Sequence, residues 1–163
     1  MSIRKVLFGI FGAALASTGL LVADDALAET VIKIKAQGVA IVDLQNFPLS
    51  DGSTVQWWVS RTVSTELEGD MAGQSRSANC RGFGKVTPEG VYSGVGRCDE
   101  TWSAEDVMTF DYSDDAKGGD WVLTGGTGKF KGAKGSGHNT YTWGDPVYGD
   151  RITYTTEGTI TLP

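Results

Sequence analysis

The chain has 163 residues, 23 of them glycine and 4 proline, with 21 % charged residues and a formal charge of −6, which fits one domain and leaves little room for two. The acidic balance excludes recruitment of phosphates by bulk charge, and the basic residues stand singly among carboxylates instead of forming a stripe, so nucleic acid is not an expected partner. Hydrophobic residues at 40 % and aromatics at 10 % still supply a sizeable core.

Residues 1–28 read as a secretory signal. Arg4 and Lys5 form the basic start, Val6 to Ala23 is almost entirely apolar, and Ala26-Leu27-Ala28 offers the small residues that a signal peptidase accepts. The rival reading is a permanent anchor, since the apolar run approaches the roughly 20 residues that span a bilayer. Asp24 and Asp25 ahead of the Ala-x-Ala site favour cleavage, leaving 29–163 as one exported domain, secreted or periplasmic, with no anchor.

Beyond the signal no stretch sustains apolar recurrence at helical spacing, whereas period-two alternation recurs. The predicted strands are Val31 to Lys35, Val39 to Gln45, Val55 to Ser64, Ser77 to Thr87, Val91 to Thr101, Val107 to Tyr112, Trp121 to Thr124, Lys129 to Trp143 and Arg151 to Leu162. Turn chemistry separates them at Pro48 to Gly52, Pro88 to Gly90, Asp114 to Gly119 and Gly144 to Asp150. So many strands in one short domain imply an antiparallel sandwich or barrel, and a barrel leaves no open edge.

Cys80 and Cys98 are the chain's two cysteines, and an even pair in an exported protein reads as a disulfide. Pro88-Glu89-Gly90 has the composition of a three-residue hairpin loop with a left-handed glycine. Pairing Thr87 with Val91 brings Cys80 directly opposite Cys98, within disulfide reach if the pair is non-hydrogen-bonded. The spacing is not the C-x-x-C of a redox pair.

The same register sets Gly82 opposite Gly96 and Gly84 opposite Gly94, on the face that carries the cysteines. Either these four glycines form a widened cavity wall for a ligand, or aromatic rings from neighbouring strands fill the space. In the strand from Val55, the odd positions Val55, Trp57, Val59 and Val63 are apolar, which places Arg61 among them on the predicted inner face. There it is either a snorkelling or bulged residue or an interior guanidinium awaiting a carboxylate. Asp111 has parity opposite to Met108 and Phe110 and is expected outside. Arg81 and Arg97, opposite one another and flanked by Asn79 and Asp99, read as a solvated charged face.

Known chemistries fit poorly. At Gly125 to Gly132 a Walker A loop would need glycine at the preceding Leu123 and Ser or Thr at Phe130, and the G-x-G-x-x-x-G spacing of Gly126, Gly128 and Gly132 misses the dinucleotide fingerprint. With His138 the lone histidine and the cysteines oxidised, no metal is expected. No G-x-S-x-G elbow accompanies His138. The loop carboxylates, Glu68, Asp70, Glu105, Asp106, Asp114 and Asp115 among them, show no acid and base spacing and read as solvated.

The segment from Trp121 to Gly137, WVLTGGTGKFKGAKGSG, resembles the allene oxide cyclase and dirigent protein superfamily, in which a G-G-T/S-G-x-F-x-x-A-x-G hairpin enters a long strand. The likeness extends to Pro163 and is to a bacterial secreted member. It implies an all-β fold, an eight-stranded antiparallel β-barrel of calycin-like or allene oxide cyclase-like form, here with one disulfide. It also implies an interior cavity and a homo-oligomer, commonly a trimer. In those families the cavity steers a reactive intermediate into one cyclised or coupled product without metal or organic cofactor.

The leading expectation is therefore a barrel that binds a small apolar or aromatic molecule inside, with Trp57, Arg61, Gly82, Gly84, Gly94 and Gly96 as the ligand-binding set. An alternative is a cofactor-free cyclase or isomerase in the same cavity, with Arg61 stabilising negative charge and Glu66 or Tyr154 as acid or base. A third is a protein-binding module that uses rim loops, with Trp58, Trp143 and Tyr148 exposed on a packed barrel.

Overall fold

The computed structural model describes residues 29–69, 71–143 and 151–163. Residues 1–28, read above as a signal, Asp70, and the predicted turn at 144–150 with Tyr148 lie outside the described residues, as does the side chain of Trp143. Eight strands follow one another around a closed antiparallel barrel: β1 (Thr30–Pro48), β2 (Thr54–Glu66), β3 (Ser75–Val86), β4 (Tyr92–Thr101), β5 (Val107–Asp114), β6 (Gly118–Gly126), β7 (Lys134–Trp143) and β8 (Arg151–Leu162). β1 pairs with β2 on one side and β8 on the other, so closure leaves no edge.

The two predicted strands at the start are one, β1, running unbroken through Gly38. A Cβ there would come within 2.7 Å of the Tyr154 ring, so the glycine seats the ring and keeps the strand continuous. At the other junction, Lys129 begins no strand. Gly128–Phe130 forms one 3-10 turn and β7 starts at Lys134. That turn drives Phe130, fully buried, into the end of the barrel defined by the β2–β3, β4–β5 and β6–β7 connections. Phe130 meets Trp102 at 5.3 Å between ring centroids and packs with Ile34, Met108, Trp121, Leu123, Ala133 and Ile160, which close that end.

The β3–β4 hairpin turns at Pro88 to Gly90 as expected. Thr87 N–H donates to Val91 O at 2.9 Å and Gly90 takes φ of 84°, the left-handed region that favours glycine. Cys80 pairs with Cys98 in register and the two are disulfide-bonded, Cα to Cα 4.1 Å. Outside, Arg97 forks onto Asp111 at 2.6 and 3.0 Å and Arg81 lies 3.6 Å from Asp99, so this face is the solvated charge network its composition implied.

Candidate functional site: the barrel interior

Even-numbered residues of β1 to β5 and β8 point inward, with odd-numbered ones on most of β6 and on β7. Together they enclose a cavity of about 1160 Å³. Packing of Phe130 and its neighbours stops it at one end. It opens at the other, toward the connections after Pro48, Val86 and Asp114. Aliphatic and aromatic groups supply most of the wall: Ala40, Val42, Ala78, Phe110, Trp121 and Ile152.

Parity on β2 is opposite to the expected one. Trp58 is buried, its indole donating to the Tyr112 hydroxyl at 2.9 Å, while Trp57 and Arg61 lie outside and exposed. Arg61 is therefore not an interior guanidinium, and neither it nor Trp57 presents its side chain to a ligand in the cavity. Burial of Trp58 also removes it from the exposed rim aromatics. β2 misleads because its outer face, with Val55, Trp57, Val59 and Val63, is more apolar than its inner face, with Gln56, Ser60, Thr62, Ser64 and Glu66.

The glycine row faces inward but is not bare. A Cβ on Gly82 would lie 2.5 Å from the Trp58 ring, on Gly94 2.2 Å from the Tyr92 hydroxyl, on Gly96 2.4 Å from the Tyr112 ring and on Gly84 2.8 Å from the Tyr92 ring. Of the two readings, the one with aromatic rings seated on glycine describes the structure. Gly82, Gly84, Gly94 and Gly96 give rings room to lie against the wall, and the rings, not the glycines, face the cavity.

Besides the hydroxyl and amide groups of Gln56, Ser60 and Thr62 on β2, two charged clusters interrupt the apolar lining. At the closed end Arg76 of β3 bridges two carboxylates. Its Nη1 pairs with Glu66 and its Nε lies 2.8 Å from Glu100 Oε1, while its guanidinium sits 4.6 Å from the Trp102 ring centroid. The Trp102 indole donates to Glu100 at 2.9 Å, and Glu66 Oε2 accepts the Lys35 backbone N–H at 3.1 Å. Burial pushes the Glu100 carboxyl up against the opposing pull of Arg76 and Trp102. Glu66, named as an acid or base, is thus committed to an ion pair in the floor. Tyr154, the other candidate, lines the cavity, with its hydroxyl raised chiefly by burial and opposed by the Thr62 hydroxyl.

Near the mouth Asp114 ends β5. The Tyr92 hydroxyl donates to its Oδ1 at 3.3 Å and the Tyr141 hydroxyl to its Oδ2 at 3.4 Å. Burial pushes the carboxyl up to about 6, with Asp115 adding in the same direction and the two phenols opposing. Burial likewise raises Tyr112 to about 12 and Tyr92 and Tyr141 further, so all three are neutral at physiological pH, Tyr92 and Tyr141 donating to Asp114 and Tyr112 accepting from Trp58.

Sequence reasoning missed Asp114, Tyr92, Tyr141, Arg76 and Glu100. The signal was present: Asp114 shares parity with Met108, Phe110 and Tyr112, and Arg76 and Glu100 share it with Cys80 and Cys98. Stopping the strands short, at Tyr112 and Ser77, hid Asp114 and Arg76. Among the described residues no group of three or more His, Cys, Asp or Glu is placed to hold a metal. His138 is exposed on the outer face, 2.7 Å from Asp120.

Two solved structures share this architecture. The pterocarpan synthase dirigent protein GePTS1 matches with a TM-score of 0.54 over 83 % of this chain and 86 % of that one, at 12 % identity. The pterocarpan synthase dirigent protein PsPTS1 matches with 0.51 over 82 % and 96 %, also at 12 % identity. The fold is that of a dirigent-like barrel. No family model and no curated protein matches the sequence. Identity this low carries the fold alone.

Proposed function

We propose that this dirigent-like barrel is exported, secreted or periplasmic, and holds an apolar or aromatic small molecule in its interior. The observation that carries this reading is the blind cavity of about 1160 Å³, a little above the roughly 300–1,000 Å³ of ordinary small-molecule sites. An apolar or aromatic ligand seated here would remove the aliphatic and aromatic part of the wall from contact with water, which is the main source of affinity in such a site. A mostly apolar wall, with a hydroxyl-rich stretch on β2 and two charged clusters, gives affinity from burial and orientation from a few hydrogen bonds. The disulfide is compatible with export.

Native mass spectrometry of protein purified from its own host tests the reading. A bound mass, or uptake from a panel of polycyclic aromatics with quenching of Trp58 and Trp121 fluorescence, is expected. A clean apo mass with no uptake rejects it.

A second reading, a cofactor-free cyclase or isomerase, is favoured by Asp114: a carboxyl near 6 inside the cavity gives or takes a proton at little cost at neutral pH. It no longer involves Arg61 or Glu66. Recovery of an added molecule as its isomer supports this reading, and recovery unchanged supports simple holding.

We further propose that the barrel associates with copies of itself through its outer wall. Trp57, Phe83 and Val95 stand directly abreast on β2, β3 and β4. They are 42 %, 61 % and 44 % exposed, an apolar row of the kind that marks an interface. Sedimentation should show an assembly that Phe83→Asp reduces to single copies. An unsubstituted protein that sediments as a single copy rejects the interface.

A further inference from the structure

The mouth carries a carboxylate that the described protein does not neutralise. Asp114 is held by the Tyr92 and Tyr141 hydroxyls at 3.3 and 3.4 Å, both long contacts. Around it stand four aromatic side chains from four strands: Tyr92 of β4, Tyr112 of β5, Tyr141 of β7 and Trp58 of β2. Trp58 lies 6.2 Å from Tyr92 between centroids and is tied to Tyr112 at 2.9 Å. The titratable groups acting on Asp114 are Tyr92, Tyr112, Tyr141 and Asp115, and no lysine or arginine among the described residues is one of them. β6 contributes only Gly118 and Gly119 beside it, and a Cβ on Gly119 would lie 2.6 Å from the Asp114 Cβ. At the floor the situation is opposite, since Arg76 is shared by Glu66 and Glu100 and offers no unspent positive charge to an anion.

We propose that the molecule held by the barrel is an organic cation, an apolar body bearing a protonated or quaternary amine seated between Asp114 and the rings of Tyr92, Tyr112, Tyr141 and Trp58. This rests on the ligand-binding reading above and adds the ligand's charge. An ammonium group gains on two counts in a half-buried site. The carboxylate attracts it through a medium less polar than water, and ring faces attract cations through their quadrupole. Its arrival also offsets the loss of hydration that, on burial, keeps the Asp114 carboxyl high. The described connections at the mouth carry Asp51, Glu89 and Asp115, with Lys85 of β3 3.7 Å from Asp51, Lys117 beside Asp115 and Arg151 at the start of β8, so the rim is nearly balanced and the preference for a cation rests on Asp114 and the rings around it.

Three probes that share one ring system separate charge from apolar burial: (naphthalen-2-ylmethyl)trimethylammonium, naphthalen-2-ylmethanol and 2-naphthoate, titrated calorimetrically into the full mature chain. At about pH 7.5 the ammonium should bind at least about tenfold more tightly than the alcohol, and the naphthoate most weakly. Asp114→Asn should bring the ammonium down to the alcohol while leaving alcohol binding in place. The ammonium does not titrate, so its affinity for the unsubstituted protein should fall as the pH drops from about 7.5 to about 5, because protonation of Asp114 removes the partner charge. Alcohol binding should not change over that range. This pH arm needs no variant and stands if Asp114→Asn folds poorly. Equal binding of ammonium and alcohol, preference for naphthoate, or an ammonium affinity independent of pH overturns the inference while the cavity reading survives. Failure of all three probes to bind, with a clean apo mass from the host, overturns both.

Discussion

Arg76→Met should destabilise the barrel by about 3–5 kcal/mol at neutral pH, because it leaves two buried carboxylates facing one another without their cation. The side chains of Arg76, Glu66 and Glu100 are 3 %, 0 % and 7 % exposed, so water cannot take over from the guanidinium. Methionine fills much of the same volume and still packs against Trp102, which isolates charge loss from cavity formation. The sign of the pH dependence distinguishes the two. Without Arg76, both carboxyls are raised in the folded state by burial and mutual repulsion. Such groups destabilise the fold above their folded pKa, and the loss is recovered as pH falls toward the ordinary carboxylate range. Urea midpoints of the variant should therefore approach those of the unsubstituted protein at about pH 5 and fall away at about pH 7.5. Adding Glu66→Gln and Glu100→Gln to Arg76→Met should recover part of the stability at neutral pH. A midpoint for Arg76→Met unchanged at neutral pH would show that the network is not holding the floor.

The hairpin and the architecture were legible because they depend on local chemistry. A left-handed glycine after Pro88-Glu89 sets the register, and register alone places Cys80 on Cys98 and Gly82 on Gly96. The interior was less legible, for a physical reason. Hydrophobic alternation identifies the buried face only where that face packs against other side chains, and in this barrel half of it packs against a cavity. On β2 the inner face is hydroxyl-rich and the outer face is apolar. The usual rule therefore selects the wrong parity and carries Arg61 inward. On β5 parity correctly turns Met108, Phe110 and Tyr112 inward, but Asp114-Asp115 reads as a turn and so conceals the strand's last inward residue. The floor network was lost for a related reason: Arg76 and Glu66 stand at strand ends, where a charged residue ordinarily meets solvent. The glycine parity and the seating of aromatic rings against it are both legible, but not which rings, since Trp58, Tyr92 and Tyr112 come from β2, β4 and β5.

Removing the disulfide should cost about 2–5 kcal/mol while leaving the barrel assembled at low temperature. Cys80 and Cys98 lie 18 residues apart in sequence, and closing a loop of that size restricts the unfolded chain by about 3 kcal/mol in the chain-entropy account. The remainder depends on packing. Both cysteines are buried, they sit with Ala78 against Phe110 and Tyr112, and the pair forms part of the cavity wall. The barrel does not depend on the bond for its topology, because β3 and β4 are already paired from Ser77 with Thr101 to Val86 with Tyr92, around a turn that fixes its own register. Cys80→Ala with Cys98→Ala should accordingly keep the strand-rich far-ultraviolet spectrum and lower the urea midpoint. Reduction of the unsubstituted protein should have nearly the same effect, since in both cases the cross-link lost from the unfolded chain is the same. Loss of the strand signal in the double variant would show that the disulfide directs folding. An unchanged midpoint would show that the cross-link restricts an unfolded state already held compact by its own residual structure. Because both sulfurs face the cavity, a molecule seated there should also slow their reduction by a bulky thiol, and the rate measured with and without an added ligand reads occupancy of the interior directly.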